Sequence, residues 1–230
     1  FRRICLVAII PLLLASLLAN AWLFQKNTEY YHAMNRIRLD PLGLQAYAKT
    51  TEQASEEFKV VSFGDSRAQD WPAPTDLPTV HFINRGIGAQ TSAQVVGRYA
   101  MDVHALQPNV IVLQVGINDL KTIALFPQDK DKIIADCIAN IHQIIAEAQR
   151  DQATVSVTTI FPTRAPSLER RVYWSDDIAP AIWEVNAAIL AMQQEGVFVI
   201  DSTPLLSDSQ GLLRQDYSYD TLHLNAAGYE

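Results

Sequence analysis

Cysteine is almost absent from this sequence, which has only two cysteines in 230 residues. Two cysteines cannot build the disulfide framework of a small secreted domain. Cys5 lies in an apolar N-terminal run and Cys137 in a helical pattern, and neither has a histidine or aspartate beside it at catalytic spacing. We therefore expect both side chains to be packing residues, with no disulfide between them.

The chain also lacks an excess of basic residues. Its formal net charge is −7, so it has no electrostatic footprint for a nucleic-acid partner, and none is expected. Hydrophobic residues make up 49% of the chain and charged residues 19%, which is enough apolar material for a core and argues against disorder. The length allows one α/β domain and an appendage.

Charged residues are missing altogether from residues 4–24, where only a proline, a serine and an asparagine interrupt the apolar side chains. A helix of this length spans ~30 Å, the thickness of the hydrocarbon core of a bilayer. Arg2 and Arg3 precede the run and predict a cytoplasmic N-terminus, and Trp22 lies near the far end, where interfacial aromatic residues occur. We expect a single-pass membrane anchor, with the rest of the chain periplasmic or extracellular.

A cleaved signal peptide is the competing interpretation of this segment. Residues 19–21, Ala-Asn-Ala, fit a small-x-small cleavage site, after which the mature chain would begin at Trp22. The apolar run is longer than the ~7–15 residues usual for a signal peptide, which favours the anchor. Both interpretations place the remaining chain outside the cytoplasm.

After residue 57 the hydrophobic pattern alternates between strands and helices, and residues 25–57 resemble a polar, partly helical juxtamembrane linker. Strands are predicted at residues 58–63, 79–83, 109–115, 154–160 and 197–200. Helices are predicted at residues 91–106, 131–150 and 182–194, the last with Gly196 as its C-cap. This alternation predicts βαβ units in a three-layer α/β/α sandwich with a five-stranded, mostly parallel sheet over residues 58–230. Because the chain ends at Glu230, where a helix should follow His223, we expect the C-terminal helix to be cut short.

Several familiar active-site motifs are missing. The Gly-x-Ser-x-Gly elbow of α/β-hydrolases is absent, and residues 84–88 have neither a Walker lysine nor the full dinucleotide-binding spacing. What the chain has instead is four short blocks after predicted strands or in a late loop: Phe-Gly-Asp-Ser at 63–66, Asn-Arg-Gly-Ile-Gly at 84–88, Gly-Ile-Asn-Asp at 116–119 and Asp-Thr-Leu-His-Leu-Asn at 220–225. In open α/β sheets, sites form outside the carboxyl ends of the strands, which is where these blocks fall.

The residue types in these blocks suit acyl transfer. Ser66 is a potential nucleophile that needs an adjacent base, and His223, three residues after Asp220, offers a base with a carboxylate to orient it. The Gly86 N–H, the Asn118 amide and the Ser66 N–H are potential oxyanion donors. Each block also has a structural interpretation: a helix cap at residues 65–66 and 118–119, a turn at 86–88 and a surface turn at 220–223.

Taken together, the four blocks resemble those of the SGNH/GDSL hydrolase family. The resemblance implies Ser66, Asp220 and His223 as a catalytic triad, Gly86, Asn118 and Ser66 as the oxyanion hole, ester hydrolysis as the activity, and no metal or organic cofactor. Arg67 departs from the family pattern, which has leucine there; it predicts either a contact with an acidic substrate group or, as we prefer, an ion pair with Asp70. Arg85 is a second potential substrate contact.

Three functions remain open from the sequence. The first is a membrane-anchored, extracytoplasmic hydrolase of acyl, above all acetyl, esters of envelope carbohydrate or lipid. The second is an O-acyltransferase that uses the same triad but passes the acyl group to a sugar hydroxyl. The third is a non-catalytic accessory subunit, held in a membrane complex by its helix. Intact catalytic blocks favour the enzymes.

Overall fold

The structure is a computed structural model that describes residues 2–47 and 58–230, without the side chains of residues 2–8. The chain divides into two compact units, one ending at Gly43 and the other beginning at Leu44. The first unit contains one long helix, α1 (Arg2–Leu39). The side chain of Cys5 and the last part of the predicted linker, residues 48–57, lie outside the described residues.

Helix α1 does not end with the apolar run at residue 24 but continues into the segment predicted as a linker. From Ile9 to Leu39 it is long and apolar enough to cross a membrane, and none of its most apolar stretch is buried within the protein. A signal sequence near an N-terminus can also be long and apolar enough by this measure, so α1 by itself is compatible with both interpretations of the segment.

The second unit is built on five parallel strands in the order β2-β1-β3-β4-β5. The strands are β1 (Phe58–Gly64), β2 (Val80–Gly86), β3 (Val110–Gln114), β4 (Thr154–Thr158) and β5 (Val197–Ile200). The helices are α2 (Ser66–Gln69), α3 (Ser92–Asp102), α4 (Ile117–Lys121), α5 (Lys130–Arg150), α6 (Ile178–Leu190), α7 (Thr203–Leu206) and α8 (Ala226–Tyr229). Every pair of neighbouring strands is parallel, which confirms the predicted sheet.

The strand order places helices on both faces of the sheet. The connection from β1 to β2 runs in the opposite direction along the sheet from the later connections, so right-handed crossovers put α2 on one face and α3, α5 and α6 on the other. On the second face α5 packs between α3 and α6. The main core lies here, and buried side chains of α3, α5 and α6 form its helix side. The apolar stripe of α5 is formed by Ile134, Cys137, Ile141, Ile144, Ile145 and Ala148.

A smaller apolar cluster lies on the face of α2. Phe161, Leu206, Leu213 and Leu224 form its buried part. Trp71, which follows α2, packs against the Phe161 ring at 6.3 Å and the Tyr229 ring at 5.6 Å between centroids. This cluster joins the end of the chain to the start of the sheet and so brings the late loop to the carboxyl end of β1.

Several element ends differ from the sequence prediction. Helix α3 ends at Asp102 instead of residue 106. Strand β2 continues to Gly86 instead of ending at residue 83, because its backbone stays paired with β1 as far as Gly64. This backbone pairing does not depend on the polar side chains of the last residues of β2. Helix α6 spans Ile178–Leu190, four residues earlier than predicted at both ends, and its C-cap is Ala191. Gly196 therefore does not cap the helix; it lies in the turn before β5 with a φ of 74°.

Candidate active site

Three strands end side by side where the four sequence blocks meet. Gly64, the last residue of β1, is in register with Gly86 of β2 and with Gln114 of β3. The strand order reverses between β1 and β3, and in doubly wound sheets this switch point opens a crevice for ligands. Ser66 follows β1 and Asn118 follows β3, so both arise at this crevice.

A buried arginine of α3 holds two of these strand ends in place. The Arg98 guanidinium donates to the carbonyl oxygen of Gly64 at 2.7 Å and to that of Arg85 at 2.8 Å. It also bonds Gln90 Oε1 at 2.6 Å and Asp102 Oδ2 at 2.9 Å. The charge is thus paired and satisfied, as a buried guanidinium requires, and it ties the loop after β2 to the loop after β1.

The structure brings Ser66, His223 and Asp220 into one hydrogen-bonded line. Ser66 Oγ lies 2.9 Å from His223 Nε2, and His223 Nδ1 lies 2.9 Å from Asp220 Oδ2. An ionised carboxylate only accepts hydrogen bonds, so Nδ1 carries the ring proton and the lone pair of Nε2 faces the serine. This arrangement allows His223 to accept the Ser66 hydroxyl proton.

Asp220 is held as the ionised partner of this line. Its Oδ1 accepts the backbone N–H groups of Leu222 at 2.7 Å and His223 at 2.8 Å. Partial burial alone would raise the pKa of Asp220, but the hydrogen bonds from the Leu222 N–H and from the ring and N–H of His223 together lower it. The carboxylate therefore stays charged and fixes the orientation of the imidazole.

Arg67 is a structural tether, which corrects both expectations for it. Its side chain is fully buried, so a substrate cannot reach it. Its guanidinium donates to the carbonyl oxygens of Leu222 at 3.0 Å and Phe161 at 3.1 Å and lies over the Phe161 ring. The preferred ion pair with Asp70 is not formed; Asp70 Oδ2 accepts the Tyr219 hydroxyl instead. Arg67 thus anchors the backbone next to His223.

Asn118 lies in α4 with its amide directed at the neighbouring loop. Its Nδ2 donates to the Gln90 carbonyl oxygen at 3.0 Å, and its Oδ1 accepts from Lys121 Nζ at 3.0 Å. The amide nitrogen carries two protons, so one N–H remains for a substrate oxygen. Ser66 is the first residue of α2, where a backbone N–H has no acceptor within the helix.

Gly86 does not fit the oxyanion role. Its N–H already donates to Asn84 Oδ1 at 2.9 Å, and the residue is buried against the backbone of Gln69. The N–H of Gly88 is also used, by Gln69 Oε1 at 2.7 Å. The next residue, Ala89, is exposed and has a φ of 64°, and the turn it belongs to passes beside Ser66, since a Cβ on Gly88 would lie 3.8 Å from Ser66 Cβ.

Arg85 stacks on an aromatic ring near the end of β2. Its guanidinium lies over the Tyr47 ring, 4.7 Å from the centroid, and the Tyr47 hydroxyl donates to the Gly86 carbonyl oxygen. A role of Arg85 in substrate binding stays a prediction.

Three residues of the site were not identified from the sequence. The Tyr219 ring stacks on the His223 ring, with 5.5 Å between centroids and 7° between planes. Arg170 Nη2 lies 3.4 Å from Asp220 Oδ2, and Lys121 bonds Asn118. Lys121 follows Asn118 by three residues, a spacing at which side chains on a helix lie next to each other, so their contact could have been predicted from the sequence. Arg170 is fifty positions from Asp220, and nothing local to either residue predicts their contact.

A family model described as the GDSL-like Lipase/Acylhydrolase family matches residues 46–230. No curated protein is similar enough to this chain to count as a match.

Solved structures with a similar fold include three hydrolases. A GDSL-like lipase from Bacteroides thetaiotaomicron is 23% identical, with a TM-score of 0.63, covering 85% of this chain and 90% of its own. A variant acetyl xylan esterase from Geobacillus stearothermophilus is 18% identical, with a TM-score of 0.58 and coverages of 76% and 90%. A lipase/acylhydrolase from Enterococcus faecalis is 21% identical, with a TM-score of 0.57 and coverages of 74% and 89%. At these sequence identities the similarity shows a shared fold and nothing more.

Proposed function

Because this chain belongs to the GDSL-like lipase/acylhydrolase family, we propose that it is a serine ester hydrolase that acts through an acyl-enzyme. The observation that carries the proposal is the line from Ser66 Oγ through the His223 ring to Asp220, with 2.9 Å at each contact. A nucleophile, a base and an orienting carboxylate at these distances are the parts that acyl transfer by serine requires.

In the first half of the reaction, Ser66 Oγ attacks the ester carbonyl carbon while His223 Nε2 takes the hydroxyl proton. The carbonyl oxygen becomes negative in the tetrahedral intermediate. When that intermediate collapses, the bond to the alcohol oxygen breaks and the imidazolium returns the proton to the departing alcohol. The acyl group then remains on Ser66, and Asp220 stabilises the imidazolium in both steps.

Three donors are proposed for the negative oxygen. They are the backbone N–H of Ser66, the second Nδ2 proton of Asn118 and, in place of Gly86, the backbone N–H of Ala89. The case for Ala89 is the open turn that it forms beside Ser66, whereas the N–H groups of Gly86 and Gly88 are used within the domain. One such donor contributes about 3 kcal/mol of transition-state stabilisation.

In the second half, a water molecule takes the place of the alcohol. His223 removes its proton, the hydroxide attacks the acyl carbon, and the acid is released as the proton returns to Ser66 Oγ. No step in this sequence requires a cofactor. An acceptor sugar in place of water would make the same site an O-acyltransferase.

The proposed location and substrate rest on the first unit and on the fold. Helix α1 is long and apolar enough to span a membrane, and Arg2 and Arg3, in its first turn ahead of the apolar run, favour a catalytic domain outside the cytoplasm. Ester substrates there are acylated carbohydrates or lipids of the cell envelope. An acetyl xylan esterase among the solved structures of similar fold supports acetyl esters of carbohydrate.

The proposal is tested with the full chain in detergent, by hydrolysis of p-nitrophenyl acetate and by labelling with a fluorophosphonate. The wild type should release acetate and take up one label. Ser66→Ala should do neither, whereas Ser209→Ala, which removes an exposed serine of the same unit, should behave as the wild type. Labelling of Ser66→Ala would exclude the assignment. If the wild type is labelled but turns over p-nitrophenyl acetate only when a sugar is added, with the acetyl group recovered on that sugar, the protein is a transferase.

A further inference from the structure

Two basic side chains, Lys121 and Arg170, lie against the proposed catalytic residues of this acidic chain. Lys121 ends α4, is half-buried, and donates from Nζ to Asn118 Oδ1 at 3.0 Å. Arg170 lies in the loop between β4 and α6, with Nη2 3.4 Å from Asp220 Oδ2. One cation therefore contacts the proposed oxyanion residue, and the other contacts the carboxylate behind the histidine.

Lys121 has no carboxylate partner of its own. Among the residues that the structure describes, no carboxylate oxygen lies within 4.0 Å of its Nζ, and the acceptor it contacts is an amide oxygen. Its pKa is lowered, first by burial and then by the charge of Arg170, although Asp65 and Asp220 act in the opposite direction. A half-buried ammonium that feels a second cation is stabilised when an anion binds beside it.

Arg170 is only loosely held by the carboxylate it contacts. Asp220 already accepts three hydrogen bonds, two from backbone N–H groups and one from the His223 ring. The contact with Arg170 is long, at 3.4 Å, and 44% of the arginine side chain is exposed. A guanidinium has five N–H donors, so the single contact with Asp220 leaves donors of this partly exposed side chain for a ligand.

We propose that Lys121 and Arg170 form a subsite for an anionic group, a carboxylate or a phosphate, on the alcohol portion of the ester. The inference rests on the proposed function, since it names the substrate of that site. An acetyl group carries no charge, so the anion belongs to the alcohol portion. Substrates of this class are acylated polysaccharides that contain uronic acids, or acylated molecules that carry a phosphate.

The alternative role for both cations is confined to the protein. Lys121 would polarise the Asn118 amide and Arg170 would steady Asp220, with no contact to the substrate. Replacing either one would then slow neutral and anionic esters to the same extent, because both substrates use the same oxyanion hole and base. The subsite predicts a larger loss of rate for the anionic esters than for the neutral one. The anionic-to-neutral ratio of rates therefore distinguishes the two roles.

The experiment compares three aryl acetates that differ in charge: methyl 4-acetoxybenzoate, 4-acetoxybenzoate and 4-acetoxyphenyl phosphate. Full-length protein is assayed as wild type, Lys121→Met, Arg170→Gln and the double variant. Arg171→Gln is the control, since Arg171 is exposed and adjacent to Arg170. The leaving groups differ in intrinsic reactivity, so the esters are not compared with one another directly. For each protein the ratio of kcat/KM for an anionic ester to kcat/KM for the neutral ester is measured, and the ratio of each variant is compared with that of the wild type.

We expect this ratio to fall about fivefold in each single variant and further in the double variant, while the control keeps the wild-type ratio. Added salt should lower kcat/KM for the anionic esters and leave the neutral ester unchanged. The carboxylate and phosphate esters show which anion is preferred. Equal losses for neutral and anionic esters in the variants would overturn the subsite.

A binding measurement distinguishes failure of the anionic subsite from failure of the proposed hydrolase. Ser66→Ala is titrated by calorimetry with 4-acetoxybenzoate and with its neutral methyl ester, with and without Lys121→Met. If the anion binds more tightly than the neutral ester and this difference requires Lys121, the subsite is supported. This holds even if the wild type hydrolyses none of the esters, because that failure would refute only the hydrolase. Equal affinities for the two compounds refute the subsite, whatever the hydrolase does.

Discussion

Asp220 accepts hydrogen bonds with both carboxylate oxygens, two at Oδ1 from the backbone and one at Oδ2 from His223. An asparagine has the same shape but can accept at only one of these positions, because the other carries an NH2 donor. With that donor facing the ring, His223 would hold its proton on Nε2 and could not accept the proton of Ser66. We expect Asp220→Asn to lower kcat by about 10³–10⁴-fold.

The matched control is Asp216→Asn, which removes an exposed carboxylate paired with Arg214. It should keep the wild-type kcat on p-nitrophenyl acetate. Thermal unfolding of both variants shows whether the loss in Asp220→Asn is chemical or structural. A wild-type kcat in Asp220→Asn would mean that Asp220 does not orient the base.

Asp65 predicts a pH-dependent stability. It is fully buried, and burial raises the pKa of its carboxyl to about 6, although the Arg67 charge and N–H oppose the rise. An unfolded aspartate loses its proton near pH ~4. Between these values the folded state binds the extra proton, so the stability contributed by Asp65 falls as pH rises from about 4 to about 6 and stays low above it.

The variant Asp65→Asn tests this argument, because an asparagine side chain cannot ionise and serves as well as aspartate as the N-cap of α2. We therefore expect its free energy of unfolding, relative to wild type, to increase between about pH 4 and pH 6 in urea titrations. Any constant loss from leaving Arg67 without a nearby charge does not affect this slope. A difference in the free energy of unfolding between Asp65→Asn and wild type that stays constant over this pH range would contradict the burial argument.

At the scale of elements, the packing of α2 on β2 depends on Gly86. A Cβ there would lie 2.0 Å from the Gln69 backbone nitrogen and 2.4 Å from its Cα, so α2 would have to move. We expect Gly86→Ala to reduce the free energy of unfolding by about 3 kcal/mol in urea denaturation, because a packed backbone cannot yield as a side chain does.

Gly88→Ala provides the control two residues away. Its Cβ would meet only the end of the flexible Gln69 side chain at 3.1 Å and Ser66 Cβ at 3.8 Å. We expect its stability to stay within about 0.5 kcal/mol of wild type. Equal stabilities of the two variants would show that α2 is free to shift and that Gly86 is not kept small by packing.

At the scale of the whole molecule, the proposed membrane location depends on α1. Two lysines in the middle of its apolar run, Leu13→Lys with Leu17→Lys, would each cost about 3 kcal/mol in a bilayer. We expect this double variant to leave the membrane fraction on alkaline washing, while Leu13→Ala with Leu17→Ala stays. Sequencing of the mature N-terminus is decisive for the alternative, since a chain beginning at Trp22 would mean that the segment is cleaved.

The hydrophobic pattern was a good guide to the elements and a poorer one to their ends. All five strands and the long helix α5 lie where they were predicted, because burial on a sheet imposes a period that survives in the sequence. The ends of β2 and α6 were misplaced, because strand pairing and capping decide them. Tyr219 beside His223 has no signature in the pattern, since stacking joins residues through the fold and not through spacing.

The sequence by itself determined the fold class, the apolar N-terminal run and the serine, aspartate and histidine that the structure joins. These depend on local chemistry, namely a strand, a turn and a carboxylate three residues before an imidazole. Only the tertiary structure decided which donors remain open. The Gly86 N–H is bonded to Asn84 and Arg67 is buried beneath the histidine loop, whereas Lys121 contacts Asn118 and Arg170 contacts Asp220 from a distant part of the chain. Whether a polar group is free depends on partners that the folded chain brings to it.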